Sequence, residues 1–236
     1  MWKREPLYRF LVMLIWAIFL FILLLSRRFK LFVNAIYSPL LVVGFIIFLS
    51  LIVAGFNKVK AKTADQLTAT KFLTYFLMFF PILLVLLVNP TSLPTSAATT
   101  RGISTTLLGT DANLLDTLQS QLESQEAFKK FNLKQLLSLA NNEPEKIDGL
   151  QVVVEGFAFK DETLQAGSIM LVRFLITCCA ADATPLGIEV YPDENSNFSP
   201  DMWVRVFGTI GFEKGVPVIK QANVTQSPKP SNVYLY

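Results

Sequence analysis

Not one histidine occurs in the 236 residues. That absence removes Ser–His and Cys–His nucleophile pairs and a histidine general base. It also removes the imidazole ligands of many zinc sites. No Gly-rich phosphate loop follows a strand pattern either, so the chain carries no signature of an enzyme. Cysteine is nearly as scarce, with two residues that are neighbours, Cys178 and Cys179. Acids are almost missing from the first 90 residues, where Glu5 and Asp65 face ten Lys/Arg. Charged residues make up 17% of the whole.

Apolar residues fill the gap. They make up 52% of the chain, and the mean hydropathy of +0.46 is too high for an ordinary soluble domain. Three long apolar runs lie in the basic half: Leu7 to Leu25, Ile36 to Phe56, and Phe72 to Val88, the last with Pro81 inside. At about 1.5 Å per residue, each is expected to cross a hydrocarbon core of roughly 30 Å. Tyr8, Tyr37, Phe56 and Tyr75 lie near the run ends, as interface anchors would. The first run is followed by Ser26-Arg27-Arg28-Phe29-Lys30 and lacks a small-residue cleavage site, so it reads as an uncleaved span.

With the N-terminus inside, cytoplasmic segments hold Lys3, Arg4, Arg9, Lys58, Lys60, Lys62 and Lys71. The outer segments hold only Arg27, Arg28, Lys30 and Arg101. This bias predicts a multi-pass protein of the cell (inner) membrane whose C-terminal domain is extracytoplasmic.

Residues 1–90 are thus a three-span membrane region in contact with membrane lipid, and 91–110, rich in Pro, Ser and Thr, a linker. Residues 111–148 read as a helical segment: Asp111 caps a first helix with Leu114, Leu115, Leu118 and Leu122 on one stripe. Asn132 caps a second, with Leu133, Leu136, Leu137 and Leu139, which stops at Asn141-Asn142-Glu143-Pro144. From Gly149 the period changes, and five strand-like runs follow at 150–160, 168–180, 186–192, 202–212 and 216–226. Gly156, Gly208 and Gly211 mark bulges or tight bends. The expected fold class is a membrane α-helical N-terminal half plus a mainly β C-terminal domain. That domain is an OB-like five-stranded barrel over 149–228 with a tail at 229–236.

OB barrels often bind nucleic acid. Residues 91–236, however, hold eleven Lys/Arg against sixteen acids, the wrong sign for tracking phosphates. Lys129, Lys130, Lys214 and Lys220 read as solvated positions, and no nucleic-acid partner is expected.

One stretch concentrates chemistry: "ITCCAADATPLGIEV", residues 176–190. Four readings of its cysteine pair stand side by side. Neighbours on a strand point to opposite faces, so one cysteine could fill the core as a small hydrophobe. A vicinal disulfide would be strained, because adjacent Cα atoms lie about 3.8 Å apart and bridges usually need at least about 4.4 Å. An intermolecular disulfide is open to a protein outside the cytoplasm. A soft-metal or thiol site would use Cys178, Cys179 and Asp182, with zinc or Cu(I) as the ion, completed by another acid such as Glu189 or by a partner.

The order of parts resembles the YcgQ-like family of bacterial membrane proteins. The resemblance is carried by Cys178-Cys179-Ala180-Ala181-Asp182 with Pro185-Leu186-Gly187 after it. Residues 79–102 and the Trp203-Val204-Arg205-Val206-x-Gly208 run add to it. The resemblance implies an accessory subunit of a two-component membrane permease, with a YcgR/YraQ-type permease as partner. Its outer domain would gate the partner or capture solute. Family members often carry a His-rich stretch between the second and third spans. Here that loop is "NKVKAKTADQLTATK", which weakens any metal-handling role the resemblance implies. The alternative is a stand-alone, membrane-anchored envelope protein whose barrel binds a protein, a small ligand or a metal.

Overall fold

A computed structural model describes residues 4–59, 69–88, 93, 96–107, 127–160, 164–196, 198–199 and 202–236. The chain divides into two compact units. The first is Met1–Ser92 with Cys178–Ala180, and the second is Leu93–Thr177 with Ala181–Tyr236.

The first unit contains three apolar helices: α1 (Arg4–Leu25), α2 (Ser38–Val59) and α3 (Ala69–Val88, with Pro81 inside it). α1 packs on α2, with the rings of Phe21 and Phe45 stacked 6.2 Å apart. Large apolar side chains stand exposed around these helices, among them Ile22, Leu40, Ile46, Val53, Phe76 and Leu83. A helix that is apolar all round belongs in an apolar medium or against other helices.

Of the three expected spans, one is shown by length and composition. Among the described residues one stretch, Ala35–Gly55, is long and apolar enough to cross a membrane. Phe10–Leu25 and Leu73–Leu87 are shorter apolar stretches within α1 and α3.

The second unit is built on a closed barrel. Its strands are β1 (Lys129–Lys130), β2 (Gln151–Phe159), β3 (Ile169–Leu175), β4 (Thr184–Pro192), β5 (Trp203–Glu213) and β6 (Val216–Gln226). The sheet order is β1-β2-β3-β4-β6-β5, and β2 also pairs with β5, which closes five strands on themselves. All neighbours are antiparallel except β4–β6 and the short β1–β2 pair. This closed, OB-like barrel matches the sequence expectation.

Alternating Val, Ile and Phe drive it: in β5, Val204, Val206 and Ile210 point inward while Arg205, Phe207 and Thr209 are half-buried. β2 uses both of its edges: Phe157 pairs with Val172 of β3 on one side and with Trp203 of β5 on the other. At Gly208 the β5–β6 register shifts. A Cβ there would meet Ile219 Cγ2 at 2.5 Å, so only glycine fits the bend. Gly211 is different: nothing comes closer than 3.5 Å to a Cβ placed there, and no bend depends on it.

Helix α5 (Leu133–Asn142) packs against β2, β3 and β4. It starts at Asn132 with a reciprocal capping box: Gln135 N–H donates to Asn132 Oδ1 and Asn132 N–H donates to Gln135 Oε1, both at 2.9 Å. Leu133, Leu136, Leu137 and Leu139 are fully buried. A short helix α6 (Pro144–Ile147) follows. The helix expected after Asp111 lies outside the described residues.

Two segments expected to be loose are packed. In the linker, α4 (Ser96–Arg101) buries Ala98. Ser104 bridges Leu186, and Arg101 Nη1 donates to Ala183 O at 2.6 Å. In the tail, Tyr234 and Leu235 are buried. Leu235 runs parallel to Leu175, exchanging backbone bonds with Phe174 and Ile176.

Candidate functional site

The strand expected over 168–180 ends at Leu175. Ile176 takes the last inward position, fully buried, and Cys178 and Cys179 follow in a loop. The side chain of Asp182 turns the chain: its Oδ1 accepts Thr177 N–H at 3.1 Å. A single turn of 3-10 helix over Ala180–Asp182 then leads into β4. Cys178 is exposed and Cys179 half-buried, so neither fills the barrel core, which corrects the reading of the pair as core packing. Backbone bonds hold both in place: Asn34 N–H donates to Cys178 O at 3.0 Å and Ala180 N–H to Phe32 O at 2.8 Å.

The three residues singled out in the sequence come together. The ligand atoms of Cys178, Cys179 and Asp182 all lie within 4.8 Å of one another. The two sulfurs are 3.6 Å apart, far beyond the roughly 2.05 Å of a disulfide. Two thiols and a carboxylate make a donor set that suits zinc or Cu(I). Structural zinc takes four ligands, and three are present in this loop. Glu189 does not supply the fourth. It lies on β4 opposite Met170 and accepts from Ser168 Oγ at 2.6 Å. Arrangement and exposure leave the thiols open to a soft cation or an electrophile.

A second feature was not legible in the sequence. Arg173 stands mid-strand in β3, where the run "IMLVRFLI" is otherwise apolar. It is 8% exposed. Its Nη2 donates to Asn232 O, and its guanidinium lies 5.6 Å from the Trp203 ring centroid. Burial pulls its pKa down, and the charge of Glu155 opposes that. Arg173 lines a cleft of about 260 Å³ with Lys130, Phe131, Asn132, Gln135, Val153 and Glu155. A lone charge inside an apolar strand was the signal for it. The lysines expected to be solvated also divide: Lys129 is buried, Lys130 lines the cleft, and Lys220 pairs with Glu213 at 3.0 Å.

Comparison with known proteins matches both halves of the chain. Residues 112–236 match the DUF1980 C-terminal domain, and residues 8–104 match the DUF1980 N-terminal domain. The chain is also 24% identical over 198 residues to the UPF0703 protein YcgQ of Bacillus subtilis (strain 168), covering 70% of this chain and 69% of that protein.

Proposed function

Because the chain belongs to the DUF1980 family, we propose that it is an accessory subunit of a two-component membrane permease. In this reading all three apolar helices are spans that dock a YcgR/YraQ-type permease, and the OB-like domain, outside the cytoplasm, gates it or captures its solute. The observation that carries the reading is the combination of exposed apolar helices with a closed barrel. Residues 10–25, 38–55 and 73–88 contain no charged residue, and many of their large side chains, among them Ile22, Leu40, Ile46, Val53, Phe76 and Leu83, are exposed. Among the described residues the five barrel strands each have at least two strand neighbours, and only the two-residue β1 has one, so the helices are the natural docking surface. Transport by this chain alone is disfavoured, because solute paths usually place charged groups or broken helices at mid-membrane. Here Pro81 is the one interruption in those three stretches. The role assigned is not enzymatic.

Purification from the native membrane tests this. A permease of that type should co-purify in fixed proportion. Solute uptake by liposomes holding the purified chain alone would overturn the subunit role.

The clustering of Cys178, Cys179 and Asp182 favours a second reading, a membrane-anchored envelope protein that binds metal. Equilibrium dialysis of the reduced full chain against Zn²⁺ and Cu⁺ decides that reading by the presence or absence of stoichiometric binding.

A further inference from the structure

Three of the four side-chain acceptor oxygens that line the cleft around Arg173 are already used. Glu155 Oε1 receives Arg205 Nε at 2.8 Å and Arg205 Nη2 at 2.6 Å. The side-chain oxygens of Asn132 and Gln135 close the capping box. Apart from Glu155 Oε2, what these residues still present is a set of donors: the side-chain N–H groups of Asn132 and Gln135, the Lys130 ammonium, and Arg173. Among the described residues Arg173 Nε is buried with no acceptor, although the side chain is more than nine-tenths buried. A desolvated guanidinium N–H without an acceptor costs free energy that a native fold normally recovers through a partner. Glu155 is shared with Arg205, and against this one carboxylate the cleft holds Lys130 and Arg173, which leaves it net positive.

We propose that this cleft binds a small oxyanion, a carboxylate or a phosphate, with Arg173 as the buried anchor and Lys130 as the cation at its rim. The volume of about 260 Å³ lies just below the range of pockets for drug-sized ligands, roughly 300–1,000 Å³, so the occupant has few heavy atoms. Arginine suits the role because a planar, weakly hydrated guanidinium binds carboxylate and phosphate when buried. The Asn232 carbonyl and the Trp203 ring already fix its orientation, so little ordering is needed on binding. The assignment is separate from the permease reading, since the site lies wholly within the second unit.

Calorimetric titration of the full chain, in a neutral detergent at low salt, tests it with sodium acetate and inorganic phosphate as probes. At least one should bind saturably, and the probe that binds tells carboxylate from phosphate. Lys130→Gln should weaken binding about threefold to fivefold, as loss of a rim charge does. Arg173→Lys should weaken it about tenfold or more, because the ammonium cannot replace the fork. Glu155→Gln should leave binding intact or tighten it. Lack of saturable binding by either probe overturns the proposal. So does unchanged affinity in Lys130→Gln, an exposed position whose fold is not at risk should Arg173→Lys fail to fold.

Discussion

The guanidinium of Arg173 lies over the indole of Trp203, 5.6 Å from the ring centroid, and so joins β3 to β5 across β2. Phe157 of β2 sits between them, with Phe174 5.8 Å away on one side and Trp203 6.2 Å away, edge to face, on the other. Barrel closure is thus reinforced where one strand exchanges neighbours.

Replacing Trp203 should expose how much this corner contributes. Trp203→Ala removes the cation–π contact, worth about 0.5–2 kcal/mol, together with the aromatic pair, worth about 0.5–1.5 kcal/mol. Trp203→Phe should keep most of the stability. Denaturant midpoints of the three proteins give the ranking, and equal midpoints for Trp203→Ala and the parent would show that the corner does not stabilise the barrel.

Neither thiol fills the barrel core, and both should be dispensable for folding. Cys178→Ser and Cys179→Ser are expected to shift stability by less than about 0.5 kcal/mol. Asp182→Asn keeps an oxygen for Thr177 N–H and should be equally mild, whereas Asp182→Ala should cost about 1 kcal/mol. Thermal melts check these values. Loss of function in the first three variants with unchanged melts would identify a site; full activity of the double serine variant would end that idea.

Cys178 also reports sidedness, because it is exposed. A membrane-impermeant maleimide should label it in intact cells if the barrel lies outside the cytoplasm, and Cys178→Ser/Cys179→Ser should abolish the label. Labelling that requires permeabilised membranes would reverse the assigned orientation.

The pH dependence follows from the cluster of Tyr191, Glu213 and Lys220. Hydrogen bonds from Lys220, then from Tyr191 at 3.0 Å, hold the Glu213 carboxyl below the ordinary range. Its contribution is present above the unfolded value of about 4.3 and is lost as pH falls through the folded value. Tyr191 moves the other way. Loss of solvation, then the hydrogen bond to Glu213, pushes its phenol up to about 12. Its share is complete below the unfolded value of about 10 and is lost as pH rises towards 12. Denaturant midpoints across pH should therefore fall at both ends. Tyr191→Phe should lessen the alkaline fall and leave a remainder from Tyr234 and Tyr236, whose phenols burial also raises.

Much of the barrel was legible because alternation is strong. The five expected runs overlap the strands β2 to β6, and the capping box starts from Asn132, the residue whose type announced it. The end of β3 was misplaced because Ile176 and two cysteines continue the apolar pattern. The turn comes from the side chain of Asp182, whose partner is five residues back, and no local propensity signals such a bond. Residues 96–104 read as a tether on composition, yet Ala98 and Ser104 meet the barrel through contacts with residues far along the chain. Arg173 was passed over because strand periodicity weighs only the apolar residues around it. The cysteine–carboxylate cluster, by contrast, is local in sequence, and proximity alone exposed it.

The seam that pairs Gln151 with Thr209 and the backbone exchange of Leu235 with Phe174 and Ile176 give folding a direction in time. During synthesis the helices emerge first and β2 follows. β2 then waits with an unpaired edge until β5 has been made, and the Leu175–Leu235 pairing forms only once Leu235 has been made. Contacts of such long sequence separation slow folding and lengthen the exposure of strand edges. Until those pairings form, the nascent β2 and β3 are the part of this chain most open to aggregation or to a chaperone.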